Sequence, residues 1–176
     1  MRPLLILGVA AALVVATPAA AGEAAAHHRA GARVATVDYA VDGDTLRVEL
    51  AGGELVYVRL VGVDTPEDVK PGTPVECGSK AAAASMRGLA PEGAEVILRP
   101  DSVADEYDRY GRLLAHAFIG GRQLELVQLR RGWGEVYRYD DQHFDGLARF
   151  DAVQESARRT DRGVWGRCGG DFHSSR

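Results

Sequence analysis

Residues 33–63 read RVATVDYAVDGDTLRVELAGGELVYVRLVGV. Leu46, Val48 and Leu50 alternate with Arg47 and Glu49, the period of two expected of a strand with one buried face, and Leu55 to Val61 is a further apolar-rich run. Asp42-Gly43 breaks a first strand from the second, and Gly52-Gly53 closes the second and third into a hairpin. Downstream, Asp64 to Thr73 holds Pro66, Pro71 and Gly72 and reads as a loop. Ser79 is the expected N-cap of a helix over Lys80 to Leu89 that stops before Pro91 and Gly93. Glu95 to Arg99 and Leu113 to Ile119 read as a fourth and fifth strand joined by a polar loop.

Two more helices are predicted, Gln123 to Arg131 stopped by Gly132, and Gly146 to Arg159 with Leu147, Phe150, Val153 and Ala157 at spacings of three or four. Five short strands interrupted by one helix, with the other helices at the end, predict an α+β fold: a five-stranded OB-type Greek-key β-barrel with three helices. The chain has 176 residues and a net charge of -4, which excludes a polycation that coats nucleic acid through bulk charge, so any polyanion must be met locally. Lys70 and Lys80 are its only lysines, so most positive charge is on planar guanidinium groups suited to bidentate phosphate contact.

Arg2, the apolar run Leu4 to Val15 and Ala19-Ala20-Ala21 before Gly22 read as a cleaved secretory signal over 1–21, with an uncleaved anchor helix as the alternative. Residues 22–32, with His27-His28, read as a flexible lead-in, 33–168 as the folded domain and 169–176 as a tail. In an oxidising compartment Cys77 and Cys168, which lack metal-site spacing, are expected to form a disulfide; two buried thiols are the alternative. Its chain-entropy ceiling is ~4–5 kcal/mol.

Three segments set acids and arginines at strand ends: Asp42-Gly43-Asp44-Thr45, then Arg59-Leu60-Val61-Gly62-Val63-Asp64-Thr65-Pro66-Glu67, then Asp108-Arg109-Tyr110-Gly111-Arg112. Singly, each reads as turn chemistry or a surface pair. Together, from about Thr36 to Trp165, they resemble the staphylococcal nuclease family, whose fold is an OB barrel with three helices. The resemblance implies a calcium-dependent endonuclease that hydrolyses DNA and RNA, prefers single-stranded or unwound regions and leaves 3′-phosphates. With the leader and the two cysteines read as above, a secreted monomer is expected, free of the membrane once the signal is cleaved.

The residue types suit that chemistry. Phosphodiester hydrolysis needs a base, a cation and fixed donors as charge builds on the phosphate oxygens. Asp44 and Asp64 offer hard oxygens and Thr65 its carbonyl, which suits calcium better than zinc. Val58 and Leu60 share one strand face, so Arg59 between them points the other way, toward a site. Arg59 and Arg112 are read as the phosphate-binding pair, each able to donate two charge-assisted hydrogen bonds. By resemblance Glu67 is the catalytic glutamate, as general base or as the group that orders water. Arg109 and Tyr110 match family positions near the bound nucleotide, and Tyr137 and Tyr139 lie where family members present tyrosines for base stacking. A core role for one of those two tyrosines stays open. The loop from Glu67 to Cys77 carries only Lys70 for grip, and His116, His143 and His173 read as structural or surface residues. A binding module without catalysis and a phosphodiesterase for a smaller substrate are the alternatives to an endonuclease.

Overall fold

The computed structural model describes residues 31–67 and 75–174. The leader expected over 1–21, nearly all of 22–32, and Lys70, Pro71 and Gly72 of the loop lie outside the described residues. Five strands form the barrel: β1 (Arg33–Ala40), β2 (Thr45–Leu50), β3 (Leu55–Leu60), β5 (Glu95–Arg99) and β6 (Leu113–Ile119), in the order β3-β2-β1-β5-β6. Neighbours are antiparallel, and a parallel ladder between β3 and β6, with Val58 opposite Leu113 and Leu60 opposite Ala115, closes the sheet on itself. The expected hairpin forms at Gly52-Gly53, where the Gly53 N–H donates to the Leu50 carbonyl at 3.0 Å. Short β7 (Arg122–Gln123) folds back antiparallel on the end of β6, and β4 (Val63–Asp64) pairs with β8 (Glu135–Val136) outside the barrel.

The period-two pattern becomes the core. Leu46, Val48, Val58, Leu60, Val96, Leu98 and Ala117 point inward and are buried, and each buried Leu or Val side chain contributes about 1.5–3 kcal/mol relative to exposure. Helix α2 (Leu124–Arg131) covers one end with Leu124, Leu126 and Leu129, and α3 (Leu147–Arg159) packs behind it through Phe150 and Ala157. The apolar stripe expected on α3 is present, with Leu147 and Val153 partly buried beside Phe150.

Helix α1 (Ser79–Leu89) turns Ala82, Ala83, Met86 and Leu89 inward. Its small residues allow a close approach to the turn between β1 and β2, where buried Gln128 donates to the carbonyls of Gly43 at 2.8 Å and Ala82 at 3.0 Å. Ser79 does not cap this helix as expected. Gly78 takes the cap position in a left-handed conformation, φ 92°, and a side chain there would meet Val164 Cγ2 at 2.8 Å. The Ser79 hydroxyl instead donates back to the Glu76 carbonyl.

A fourth helix, α4 (Val164–Arg167), is too short to leave a periodic signal in the sequence. It belongs to a second apolar cluster of Val164, Cys168 and Phe172, packed against Cys77, Trp133 and Trp165. Cys77 and Cys168 are joined as a disulfide, and no free cysteine remains among the described residues.

Candidate active site

The acids of the β1–β2 turn meet the end of β3 and the start of β4. Asp42 Oδ1 accepts the N–H groups of Asp44 and Thr45, a tight turn that lays Asp44 over the barrel end. Asp44 Oδ2 accepts both the N–H and the hydroxyl of Thr65, each at 2.9 Å, and its Oδ1 accepts the Thr45 hydroxyl at 3.0 Å. Gly43 makes this approach possible: a Cβ there would lie 2.6 Å from Thr65 Oγ1 and 2.9 Å from Ala82 Cβ.

Arg59 projects from β3 into this acid group, as its alternation with Val58 and Leu60 requires. Its Nη2 donates to Asp64 Oδ1 at 2.6 Å, its Nε lies 3.3 Å from Asp44 Oδ1, and its Nη1 donates to the carbonyls of Leu60 and Val63. A guanidinium has five N–H groups, so this arrangement leaves one on Nη2 for an outside acceptor. Burial opposes the Arg59 charge, yet Asp44, Asp64, Asp42 and Glu67 overcome it and hold its pKa above the ordinary value.

The acids outnumber that one cation. Burial, and after it the Asp44 carboxylate, pushes the Asp42 carboxyl up to about 7. Burial also raises Asp64, against the pull of Arg59. A group of crowded carboxylates that resists full ionisation suits a divalent cation, and the donors are hard oxygens. Among the described residues no three acidic, histidine or cysteine side chains converge as a ready-made cage. The hard oxygens of Asp44 and Asp64 are of the type that suits a hard cation rather than a soft one.

Arg112 precedes β6, next to the Leu113–Val58 pair and so beside the strand that carries Arg59. Asp108 holds it: Oδ2 accepts Arg112 Nε at 2.7 Å and Oδ1 accepts the Arg112 and Tyr110 N–H groups. Among the described residues neither Nη of Arg112 donates an intramolecular hydrogen bond, so the outer fork of this guanidinium stays available. The Tyr110 ring lies beneath Arg112, 5.4 Å from Cζ, and beneath Arg109 at 4.9 Å. A hydrogen bond with Tyr110 raises the Arg109 pKa, with smaller contributions from Tyr139 and Tyr137. Tyr110, Tyr137 and Tyr139 are all exposed, which removes the core alternative for the last two.

A family model described as "Staphylococcal nuclease homologue" matches residues 57–167. The chain belongs to the staphylococcal nuclease family. Relatives carry the same signal: the thermonuclease of Staphylococcus hyicus is 32% identical over 126 residues, covering 71% of each chain. The thermonuclease of Staphylococcus intermedius is 31% identical over 132 residues, 72% of this chain and 73% of that one. Endonuclease YncB of Bacillus subtilis is 30% identical over 134 residues, 76% of this chain but 62% of that protein's length. The family consists of phosphodiester-hydrolysing nucleases, generally metal-dependent, and its substrate is nucleic acid.

Within this nuclease fold the sequence-predicted residues divide in two. Asp44, Arg59, Asp64 and Thr65 are in direct contact, and Glu67 stands close enough to act on the Arg59 charge. Arg109, Tyr110 and Arg112 form a separate group on the loop before β6. The sequence reading missed three neighbours of the acids. Glu76 Oε2 accepts the Glu67 N–H at 2.7 Å, Glu135 pairs with Asp64 across β4 and β8, and His173 reaches toward Asp64, Glu76 and Glu135 at 3.7, 3.4 and 3.2 Å. His173, read as a structural or surface residue, is exposed but lies against the site; burial lowers its pKa, and Asp64, Glu76 and Glu135 more than offset this. Its only sequence signal was its position five residues after Cys168.

Proposed function

We propose that this chain is a secreted, calcium-dependent, sugar-non-specific endonuclease that cleaves DNA and RNA, prefers single-stranded or unwound regions, acts as a monomer and leaves 3′-phosphates. One observation carries the catalytic part of this reading: a largely buried Asp44–Arg59–Asp64 group, Asp44 in the β1–β2 turn and the other two on β3 and β4, lies beside the strand that Arg112 precedes, and the Arg112 Nη fork is open to an outside anion.

In this reading Glu67 takes a proton from the attacking water, the bond from phosphorus to the 5′ oxygen breaks opposite that attack, and the departing 5′ oxygen takes up a proton from solvent water to leave as a hydroxyl. Arg112 donates from both Nη atoms to phosphate oxygens as charge builds there, and Asp108 fixes the plane of its guanidinium through Nε. Arg59 adds its one remaining Nη2 hydrogen and keeps the neighbouring carboxylates in place. Calcium, held by Asp44 and Asp64 with the Thr65 carbonyl, would supply positive charge against the phosphate. Tyr110, Tyr137 and Tyr139 offer exposed rings to unstacked bases, which tolerates any sequence.

The test is incubation of the mature protein with heat-denatured DNA, duplex DNA and RNA, followed by end-group analysis. Faster cleavage of denatured DNA and of RNA, with 3′-phosphate ends, is the expected result. Binding of these polymers without cleavage would favour a non-catalytic module, and turnover confined to small phosphodiesters would favour a different hydrolase.

A further inference from the structure

Outside the acid group, the structure builds a second set of contacts around the backbone of Glu67. Glu76 is 7% exposed, and its Oε2 accepts the Glu67 N–H at 2.7 Å while its own N–H donates to the Glu67 carbonyl at 3.2 Å. Both backbone polar groups of Glu67 are thus held by one residue, nine positions away along the chain.

Glu76 is itself held from two sides. The Ser79 N–H and hydroxyl donate to its carbonyl at 3.2 and 2.8 Å, which ties it to the first turn of α1. The other side is the end of the chain. The Cys77 N–H donates to the Ser174 carbonyl at 2.8 Å, Cys77 is covalently bound to Cys168, and His173 Nδ1 lies 3.4 Å from Glu76 Oε2. Phe172, 2% exposed and edge-on to Trp165 at 4.9 Å between ring centres, anchors that segment in its own apolar cluster.

We propose that Glu76 is a positioning residue for Glu67, held in place by the disulfide-anchored segment Cys168–Ser174. The proposal rests on reading Glu67 as the group that handles the proton. A side chain that must meet a water at hydrogen-bond distance loses rate steeply when displaced, about 10²-fold for an error near 1 Å. Glu67 lies on a loop rather than on a strand, so its precision depends on what holds its backbone. Gly78, whose left-handed conformation lets Val164 pack against this turn, is a further part of the clamp.

The experiment compares kcat, KM, half-saturating calcium and melting temperature on denatured DNA for wild type, Glu76→Ala, Glu76→Gln, Glu67→Gln and the Glu76→Ala/Glu67→Gln double variant. Glu76→Ala is expected to lower kcat by on the order of 10- to 100-fold, as residues that orient catalytic groups do, with KM and half-saturating calcium little changed. Glu76→Gln keeps an oxygen that accepts the Glu67 N–H and should recover most of the loss. In the Glu67→Gln background, Glu76→Ala should cost nothing further, because it acts through Glu67.

Full kcat in folded Glu76→Ala beside an impaired Glu67→Gln overturns the positioning role and leaves the reading of Glu67 intact. An equal fractional loss in both backgrounds also overturns it. Wild-type turnover in Glu67→Gln overturns the reading of Glu67 and the proposal with it. Should Glu76→Ala fail to fold, Glu76→Met fills the same space without an acceptor and is held to the same outcomes.

Discussion

Replacing Arg59 by Met removes a charge whose surroundings were built for it. The Arg59 side chain is 13% exposed, Asp44 7% and Asp64 23%, so both carboxylates would lose a desolvated partner rather than a solvated one. Breaking a buried ion pair from one side costs about 3–5 kcal/mol, and the carbonyls of Leu60 and Val63 lose their shared donor as well. At roughly 2–4 °C per kcal/mol for a domain of this size, the melting temperature in chelator should fall by roughly 6–20 °C. Calcium should restore part of this loss, because a divalent cation between Asp44 and Asp64 replaces the missing positive charge and stabilises by mass action. Differential scanning calorimetry with calcium and with chelator reads both quantities. A fall within ~2 °C of wild type would show that the buried pairs are not needed, which contradicts the accounting for one-sided loss. An equal deficit in calcium and in chelator would show that the cation does not take over the charge of Arg59 between Asp44 and Asp64.

Three further outcomes are expected. Gly43→Ala forces a methyl group to 2.6 Å from Thr65 Oγ1 and should cost about 1–3 kcal/mol and lower kcat, measured by urea unfolding and turnover; a neutral result would deny the close approach of the turn to Thr65. His116 is buried between Glu125 Oε1 at 2.9 Å and Asp101 Oδ2 at 3.0 Å; burial lowers its pKa, and these two acids raise it overall. Its protonated form therefore adds stability that is full below about pH 6.5 and lost as pH rises through the raised folded value. The stability gap between wild type and His116→Gln should shrink from pH 6 to pH 9 in denaturant titrations, and a gap that widens would refute the assignment. Reducing the Cys77–Cys168 bond, which spans 91 positions, should lower stability by at most ~4–5 kcal/mol in thermal melts, and two alkylated thiols in unreduced purified protein would exclude the bond.

Much of the barrel was legible because its signals are local. The alternation of Leu46 and Val48 against Arg47 and Glu49, and the paired glycines after Leu50, depend only on neighbouring residues. The parallel closure of β3 on β6 depends on the register of strands more than fifty residues apart, and no local pattern encodes it. The irregularity in β1 between Val37 and Tyr39 is hidden for the same reason.

The site follows the same division. Asp44, Arg59, Asp64 and Thr65 lie within 22 consecutive positions, in the β1–β2 turn, on β3 and at the end of β4, so short-range connections bring them together. Asp108 was visible but read as half of a surface pair, because sequence does not show that it accepts three N–H groups from the Arg112 segment. Glu76, Glu135 and His173 meet through the β4–β8 pairing and the disulfide, which join residues up to 91 positions apart.

The most direct test of the central claim is the rate of denatured-DNA cleavage by wild type and Arg112→Lys, each in calcium, in magnesium and in chelator. A site built on two carboxylates and an open guanidinium fork predicts turnover in calcium, little in magnesium and none in chelator. It also predicts a loss on the order of 10²–10³ in kcat for Arg112→Lys, since a point charge cannot replace the fork. Full activity in chelator, or near-normal turnover of a folded Arg112→Lys, would contradict it.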